Sequence, residues 1–311
     1  MKEKHRGYFS QLWIYLGKYL RMFVYQSDWK VLPMGGVIAA VVTYVVGSNL
    51  FVTQEGTLTG AFALVCVCIW NGFFNSIQVV CRERAILKRE HRAGLRLSSY
   101  LSAHMIYQLL LCLAQTAVTL FICRITNVSF PQKGIITEWG IVDIGITLFL
   151  ITYASDLMAL MVSCIVRDTT TAMTVMPFLL IFQLVFSGGF FDLSGFAKSL
   201  RVATISHWGL DSLCSIGRYN ELPMVTLWNT VFKFKDIEIG GEKPLLDLIR
   251  QAQESGQRDA FLRWSGTYNT NSEFAASAQT VLTNWGALLV LMGIFTVAAL
   301  VALRFVDRDK R

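Results

Sequence analysis

Ionisable side chains inside long apolar runs are the first candidates for chemistry in this 311-residue chain. Asp156 interrupts the apolar run 144–166, and a carboxylate in the middle of a membrane helix costs roughly 2.5–3.5 kcal/mol on insertion scales. It could be a counter-ion for a cationic substrate, a protonation switch or a hydrogen-bonded structural carboxyl. His104 lies at a similar predicted depth in the run 97–123, so the sequence allows the two side chains to pair.

A second set of polar residues forms a stripe. Asn71, Asn75 and Gln78 are spaced at i, i+4 and i+7 with Phe74 beside them, so on a helix they share one face. In lipid such a stripe must face protein or water. It could line a substrate cavity, or it could form interhelical hydrogen bonds that contribute roughly 0.6–2 kcal/mol each.

A basic segment follows this stripe directly. Six Lys and Arg residues lie within 82–96 around two acids, Glu83 and Glu90, and the segment also carries Ile86 and Leu87. A basic flank that only fixes topology needs neither the acids nor the apolar pair. The segment is therefore either a basic flank that fixes topology or a helix that contacts another protein.

Composition predicts the elements that position these residues. Hydrophobic residues make up 54% of the chain and charged residues 16%, against about a quarter charged in soluble domains. Apolar runs near or above the ~20 residues that span a bilayer predict an all-α polytopic membrane protein with six transmembrane helices. The runs are 31–54, 57–81, 97–123, 144–166, 169–191 and 274–303.

The distribution of charge predicts orientation and partners. Bases concentrate in 1–30, in 82–96 and in the last eight residues, which predicts that both termini are cytoplasmic. The net charge of +7 follows from these membrane flanks, and no nucleic-acid partner is expected. The lipid bilayer is the expected environment, and the plasma membrane the expected location.

Four regions result. Residues 1–30 form a cytoplasmic segment whose stretch 8–26 is amphipathic and predicts a helix in the membrane surface. Residues 31–191 hold five spans and the basic helix 82–96. Residues 192–273 carry nine bases and ten acids and predict a folded external loop or cap, with one amphipathic helix at 244–253. Residues 274–311 hold the sixth span and a cytoplasmic tail.

Several short stretches, in this order, resemble the membrane half of the G subfamily of ABC transporters, the white and multidrug half-transporter type. They are ERAILKRE at 83–90, LSSY at 97–100, YASDLMAL at 153–160, FSGGFFDL at 186–193 and RYNE at 218–221. The likeness covers most of the chain.

The resemblance implies roles for these residues. It implies an exporter whose substrate pathway forms between two copies of the chain or two homologous halves. The implied coupling residues are Glu83, Arg84, Ile86, Leu87, Lys88 and Glu90. The implied pathway residues are Asn71, Phe74, Asn75, Gln78, Asp156 and Phe190. Gly189 and Phe190 fall where the family has a bulky pair that closes the exit, and Gly189 departs from that pattern.

Two other departures are informative. The external segment has only Cys214 where eukaryotic members carry paired cysteines, which favours a bacterial relative and the bacterial cytoplasmic membrane. No GxxxxGK[ST] sequence occurs, so the chain has no phosphate cradle and is not expected to be an enzyme itself. ATP and Mg²⁺ would bind a partner ABC ATPase domain or subunit. No catalytic residue, metal site or cofactor is expected in this chain.

Two other classes of protein remain open from the sequence. One is a proton-coupled secondary transporter that uses Asp156 as its coupling group. The other is a membrane receptor or scaffold whose external loop binds a ligand.

Overall fold

A computed structural model describes residues 7–25, 28–189, 195–238 and 242–305. Within these ranges the regular structure is helical. The α-helices are α1 (Tyr8–Tyr25), α2 (Val31–Val46), α3 (Gln54–Ser76), α4 (Val79–Arg92), α5 (Leu97–Ile125), α6 (Gly140–Ile165), α7 (Thr169–Val185), α8 (Phe196–Arg201), α9 (Ile205–Ile216), α10 (Thr226–Lys233), α11 (Pro244–Glu254), α12 (Arg258–Gly266) and α13 (Ala278–Arg304).

Five helical stretches of the described chain are long and apolar enough to cross a membrane. They are Val31–Asn49, Gln54–Arg92, Leu97–Ile125, Gly140–Ile165 and Ala278–Arg304. The helix α7 is apolar but has 17 residues. At ~1.5 Å per residue it is about 25 Å long, less than the ~30 Å of a hydrocarbon core. The predicted all-helical polytopic class is confirmed. The count of six spans, with α7 as one of them, stays a prediction.

The helices α3 and α6 form the centre of the molecule. A Cβ placed on Gly72 of α3 would lie 2.4 Å from the carbonyl oxygen of Thr152 in α6, so only glycine allows this approach. Two turns later the backbone of Val80 contacts Ser163 of α6. Because residue numbers rise together along this contact, the two helices run parallel and begin at the same end of the molecule.

At that end, the region 192–273 is held against the start of α3. Glu55 accepts hydrogen bonds from the backbone N–H groups of Val225 and Thr226, at 3.0 and 2.7 Å, and so caps α10. Gln54 donates to the carbonyl oxygen of Gly266 at 3.1 Å. The loop between α2 and α3 and the region 192–273 therefore lie on one side, here called the cap side.

The region 192–273 contains a deep part and a superficial part. The helix α9 is buried and packs against α3, α6 and α13. The helices α10, α11 and α12 enclose a separate small core of Trp228, Ile249 and Leu262. The predicted amphipathic helix at 244–253 is present as α11 (Pro244–Glu254).

The helix α1 packs one apolar face against α5, where Leu12, Leu16 and Tyr19 are buried. Its predicted location in the membrane surface stays a prediction. The exposed side carries Phe9 and Trp13. The apolar periodicity alone predicted an amphipathic helix, but it could not distinguish a protein surface from a lipid surface.

The basic helix differs from its predicted bounds of 82–96. The helical structure is interrupted at Ile77 and Gln78, and α4 then runs from Val79 to Arg92. At its end Gly94 has φ 103°, Gly94 N–H bonds to the carbonyl of His91, and Leu95 N–H bonds to that of Glu90. These two bonds form a Schellman motif, which ends the helix before Arg96.

Candidate functional site

Two reciprocal contacts fix the start of α4 on the end of α6. Ser163 Oγ accepts hydrogen bonds from the N–H groups of Val80 and Cys81, at 3.0 and 3.3 Å. These N–H groups belong to the first turn of α4, where a helix offers no internal partner. Arg84 Nη1 in turn donates to the carbonyl oxygens of Cys164 and Val166, at 3.3 and 2.6 Å, which end α6. Any movement of α4 must therefore move or break the end of α6.

The predicted coupling residues divide between two sides of α4. Glu83 pairs with Lys18 of α1 at 3.2 Å and accepts a hydrogen bond from Tyr100 at 3.2 Å. Glu90 accepts a hydrogen bond from the hydroxyl of Tyr15. Burial, together with this carboxylate, raises the pKa of Tyr15. Both acids thus attach α4 to other helices of the same chain.

The apolar pair of α4 is also divided. Leu87 is fully buried, whereas Ile86 is 44% exposed. Lys88 is half-buried. The exposed face of α4 is made by Arg82, Ala85, Ile86 and Arg89, which are spaced at i, i+3, i+4 and i+7. The side chain of Arg84, predicted to dock on another protein, is directed at α6 instead.

A cavity of about 320 Å³ lies at the α4 end of the molecule, between α1, α3, α4, α5 and α7. We call it the basal cavity. Phe74, Asn75 and Gln78 line it, and Arg82 and Glu83 contribute its charged wall. Three of the four residues predicted as one stripe are thus brought together on one cavity.

Asn71, the fourth stripe residue, is not among the residues that line the cavity. It is 5% exposed and lies against α2, where a Cβ on Gly35 would come within 3.0 Å of Asn71 Oδ1. Asn75 makes a reciprocal amide pair with Gln115 of α5, with N–O distances of 2.9 and 3.0 Å. The stripe therefore combines both interpretations, since Asn71 packs between helices while Asn75 bonds α5 beside the cavity.

Asp156 is fully buried and lies at one end of a polar chain. Ser76 Oγ donates to Asp156 Oδ1 at 2.6 Å and lies 3.3 Å from Nε2 of His104. The same nitrogen lies 3.4 Å from Nε2 of Gln108. The pairing that the sequence allowed between His104 and Asp156 is thus indirect, because Ser76 lies between them.

The row of polar side chains that begins at Asp156 reaches the basal cavity at its other end. His104 and Gln108 line the cavity, whereas Asp156 does not. Asp156 Oδ2, His104 Nδ1 and Gln108 Oε1 are buried without a hydrogen-bond partner. The arrangement can accept a proton or a hydrogen-bonding group that enters from the cavity.

Sequence reasoning missed several residues that build this site. Ser76 and Ser163 are small hydroxyl residues inside apolar runs, and Gln115 lies on a different helix from the stripe that it completes. Phe190, predicted at the exit, lies outside the described residues. Among the missed residues Gln108 and Gln115 carried a usable signal, as amides in the third apolar run.

The long apolar helices, with polar residues buried between them, are those of a multi-pass membrane protein. The family model for the ABC-2 type transporter matches residues 10–215. That match covers α1 to α9 and includes the basal cavity, Asp156 and α4. The chain therefore belongs to the ABC-2 type transporter family.

A more distant similarity points the same way. The chain is 24% identical over 143 residues to the ABC transporter ATP-binding/permease protein Rv1747 of Mycobacterium tuberculosis. The aligned part is 45% of this chain and 16% of that protein. The chain thus matches a small part of a relative whose name describes both an ATP-binding and a permease function.

Cysteine labelling tests the placement of the stripe. In a variant without the seven native cysteines, cysteine at 75 or 78 should react with a membrane-impermeant thiol reagent supplied from the α4 side. Cysteine at 71 should react at least about tenfold more slowly, because that position is buried against Gly35. Equal reaction at 71 and 75 would contradict the placement.

Proposed function

We propose that this chain is the transmembrane permease of an ATP-driven ABC exporter, similar to the G subfamily, in the cytoplasmic membrane of a bacterium. It works as a dimer, and the substrate passes between the two halves. The chain supplies no residue for hydrolysis. ATP and Mg²⁺ bind an ATPase domain or subunit that contacts α4.

The observation that carries the proposal is the position of the basal cavity. It lies at the same end as α4 and shares Arg82 and Glu83 with it. A substrate in the cavity would therefore be within reach of a helix on which an ATPase could act. Membership of the ABC-2 type transporter family supports this interpretation.

The contacts of α4 suggest how force would pass. The exposed face of Arg82, Ile86 and Arg89 offers an apolar side chain between two cations, which suits a partner surface with acidic groups around an apolar recess. Pressure on this face reaches α6 through Ser163 and Arg84. It reaches the cavity through the short break at Ile77 and Gln78.

The proposed topology places the α4 end in the cytoplasm and the cap side outside. The bases of 82–96 support this orientation. The helix α1 lies at the α4 end, as does the C-terminus of α13, so both termini would be cytoplasmic. In this topology α7 is a short fifth span, α13 is the sixth, and the region 192–273 is the external loop.

Exposed apolar surface supports the proposed dimer. Phe178 and Ile181 of α7 are 69% and 55% exposed, and Phe74 beside the basal cavity is 47% exposed. A second copy, or a homologous half, on this side would cover these residues and enclose the cavity. Phe190 would close the external exit of the same pathway.

A proton-coupled secondary transporter is the second candidate, favoured by one specific observation. Asp156 Oδ2 has no hydrogen-bond partner and no cation pairs with this carboxyl within the described residues. Family membership favours ATP-driven transport, so we assign Asp156 to substrate recognition. Asp156 does not itself line the basal cavity, so a substrate would act on it through His104 and Ser76. A receptor or scaffold whose external loop binds a ligand is not favoured, because family membership points to transport.

Coupling can be tested on the exposed face of α4. Replacing Ile86 with Asp and Arg89 with Glu should leave insertion and thermal stability unchanged, because neither side chain is buried. Association with the ATPase should fall roughly tenfold or more, the effect of losing about 1.4 kcal/mol. The measurement is the amount of ATPase that co-purifies from native membranes, together with substrate-stimulated ATP hydrolysis.

Arg84→Ala is the matched control for this test. It should lower the thermal stability of the protein, because it leaves the terminal carbonyls of α6 without their charged donor, a loss of about 1.5–3 kcal/mol. If Ile86→Asp with Arg89→Glu retains full coupling, the exposed face of α4 is not the ATPase surface.

Asp156 is tested by its charge. Asp156→Asn keeps the shape and a hydrogen bond to Ser76 but cannot become an anion. A carboxylate in a poorly screened environment attracts a cation strongly, so uptake of cationic compounds should fall about tenfold and that of neutral compounds less than about twofold. The measurement is the ATP-dependent uptake of matched cationic and neutral compounds into inverted vesicles, at equal protein level. A parallel loss of both classes, or no loss, would leave Asp156 a structural carboxyl.

A further inference from the structure

A second polar pocket lies at the end of the molecule opposite the basal cavity. It has a volume of about 400 Å³ and lies between α9 and the start of α13. His207, Trp208 and Asp211 of α9 form one wall, and Glu273 and Asn284 form the other. We call it the cap-side pocket. It shares no lining residue with the basal cavity.

The charges around this pocket are unequal. Arg201 Nη2 lies 2.8 Å from Glu273 Oε2 and 3.5 Å from Asp211 Oδ1. One guanidinium thus serves two carboxylates, and His207 Nδ1 lies 3.2 Å from Asp211 Oδ2. As formal charges, one guanidinium and two carboxylates give a net charge of −1. Burial raises the pKa of Asp211, whereas His207 and Arg201 oppose this rise, so a further cation would stabilise the carboxylate.

Buried polar atoms in the pocket lack partners. Asn284 Nδ2 donates no hydrogen bond, and Asp211 Oδ1 accepts none, although Arg201 lies 3.5 Å from this oxygen and the two residues are only 4% and 3% exposed. An unsatisfied buried polar group costs about 1–3 kcal/mol. Neither atom reaches the pocket surface, so the two side chains must rotate toward the pocket before a molecule can supply a donor to the carboxylate and an acceptor to the amide and recover this energy. The ring of Trp208 adds an aromatic wall suited to a cation.

These features select one chemical class. The carboxylate requires a cationic donor, the Asn284 amide requires an acceptor, and the volume is that of a small molecule. A metal ion fits less well, because the described residues contain no cluster of three His, Cys, Asp or Glu that could hold one.

We propose that the cap-side pocket binds a small protonated amine that carries a neighbouring hydroxyl group. The ammonium pairs with Asp211 beside Trp208, and the hydroxyl accepts from Asn284. This site is separate from the basal cavity, and its existence does not depend on ATP-driven transport.

The fold connects this site to α7. Gly188, at φ 79°, lies under Arg201, since a Cβ there would come within 2.6 Å of the guanidinium nitrogen Nε. Gln183 of α7 accepts hydrogen bonds from the first N–H groups of α9, at Ile205 and Ser206, with distances of 2.9 and 3.1 Å. A bound amine would therefore act on the junction of α7 and α9 through Arg201.

The test uses the intact protein in lipid nanodiscs and three small probes of similar size. Isothermal titration should give the strongest binding for ethanolamine, weaker binding for propylamine, which lacks the hydroxyl, and none for ethylene glycol, which lacks the charge. Asp211→Asn should weaken ethanolamine binding at least about tenfold, or about 1.4 kcal/mol. Glu221→Gln removes an exposed acid of the same region and should change nothing.

A second variant protects the test against misfolding of Asp211→Asn. Asn284→Leu keeps the volume and removes the amide, so it should bind propylamine like the parent protein and lose the preference for ethanolamine. Equal binding of ethylene glycol and ethanolamine would overturn the proposal. So would unchanged ethanolamine binding in a folded Asp211→Asn protein, or an unchanged preference in Asn284→Leu.

Discussion

The approach of α3 to α6 at Gly72 is the contact on which the rest of the structure depends. Because no Cβ intervenes, Ser76 comes within 2.6 Å of Asp156, and Ser163 reaches the first N–H groups of α4. A larger residue at 72 would separate the helices and leave a carboxylate and two helix ends without partners. In lipid, where water cannot replace them, such losses are costly.

The same contact joins the two ends of the proposed pathway. On one side, α4 and α6 cap each other through Ser163 and Arg84, so the exposed face of α4 is mechanically connected to the membrane core. Along the same helix, the polar chain from Asp156 through Ser76 to His104 ends in the basal cavity. A partner that displaces α4 would therefore change both the cavity and the environment of its buried acid.

Sequence patterns predicted those features that depend on one segment at a time. Apolar runs predicted the all-helical polytopic fold. The spacing of Asn71, Asn75 and Gln78 predicted a shared face, of which Asn75 and Gln78 line the cavity. Contacts between two helices were not predictable from the sequence. Whether Arg84 faces a partner or the end of α6, and whether Asn71 faces a cavity or Gly35, depends on which helix lies alongside. The end of α4 at Arg92 was predictable from Gly94. The role of Asp143 was not, because it depends on the geometry of the loop before α6. There its carboxylate accepts hydrogen bonds from the N–H groups of Ile135, Ile136 and Thr137.

The central claim is that an ATPase contacts the exposed face of α4, and site-specific photocrosslinking tests it most directly. A photoreactive amino acid at position 86 in native membranes should form a crosslink to a polypeptide or fused domain with a GxxxxGK[ST] sequence, identified by mass spectrometry. The same group at the buried position 87 should not. Crosslinks at 86 only to lipid, or only to proteins without that sequence, in membranes that retain transport would contradict the account.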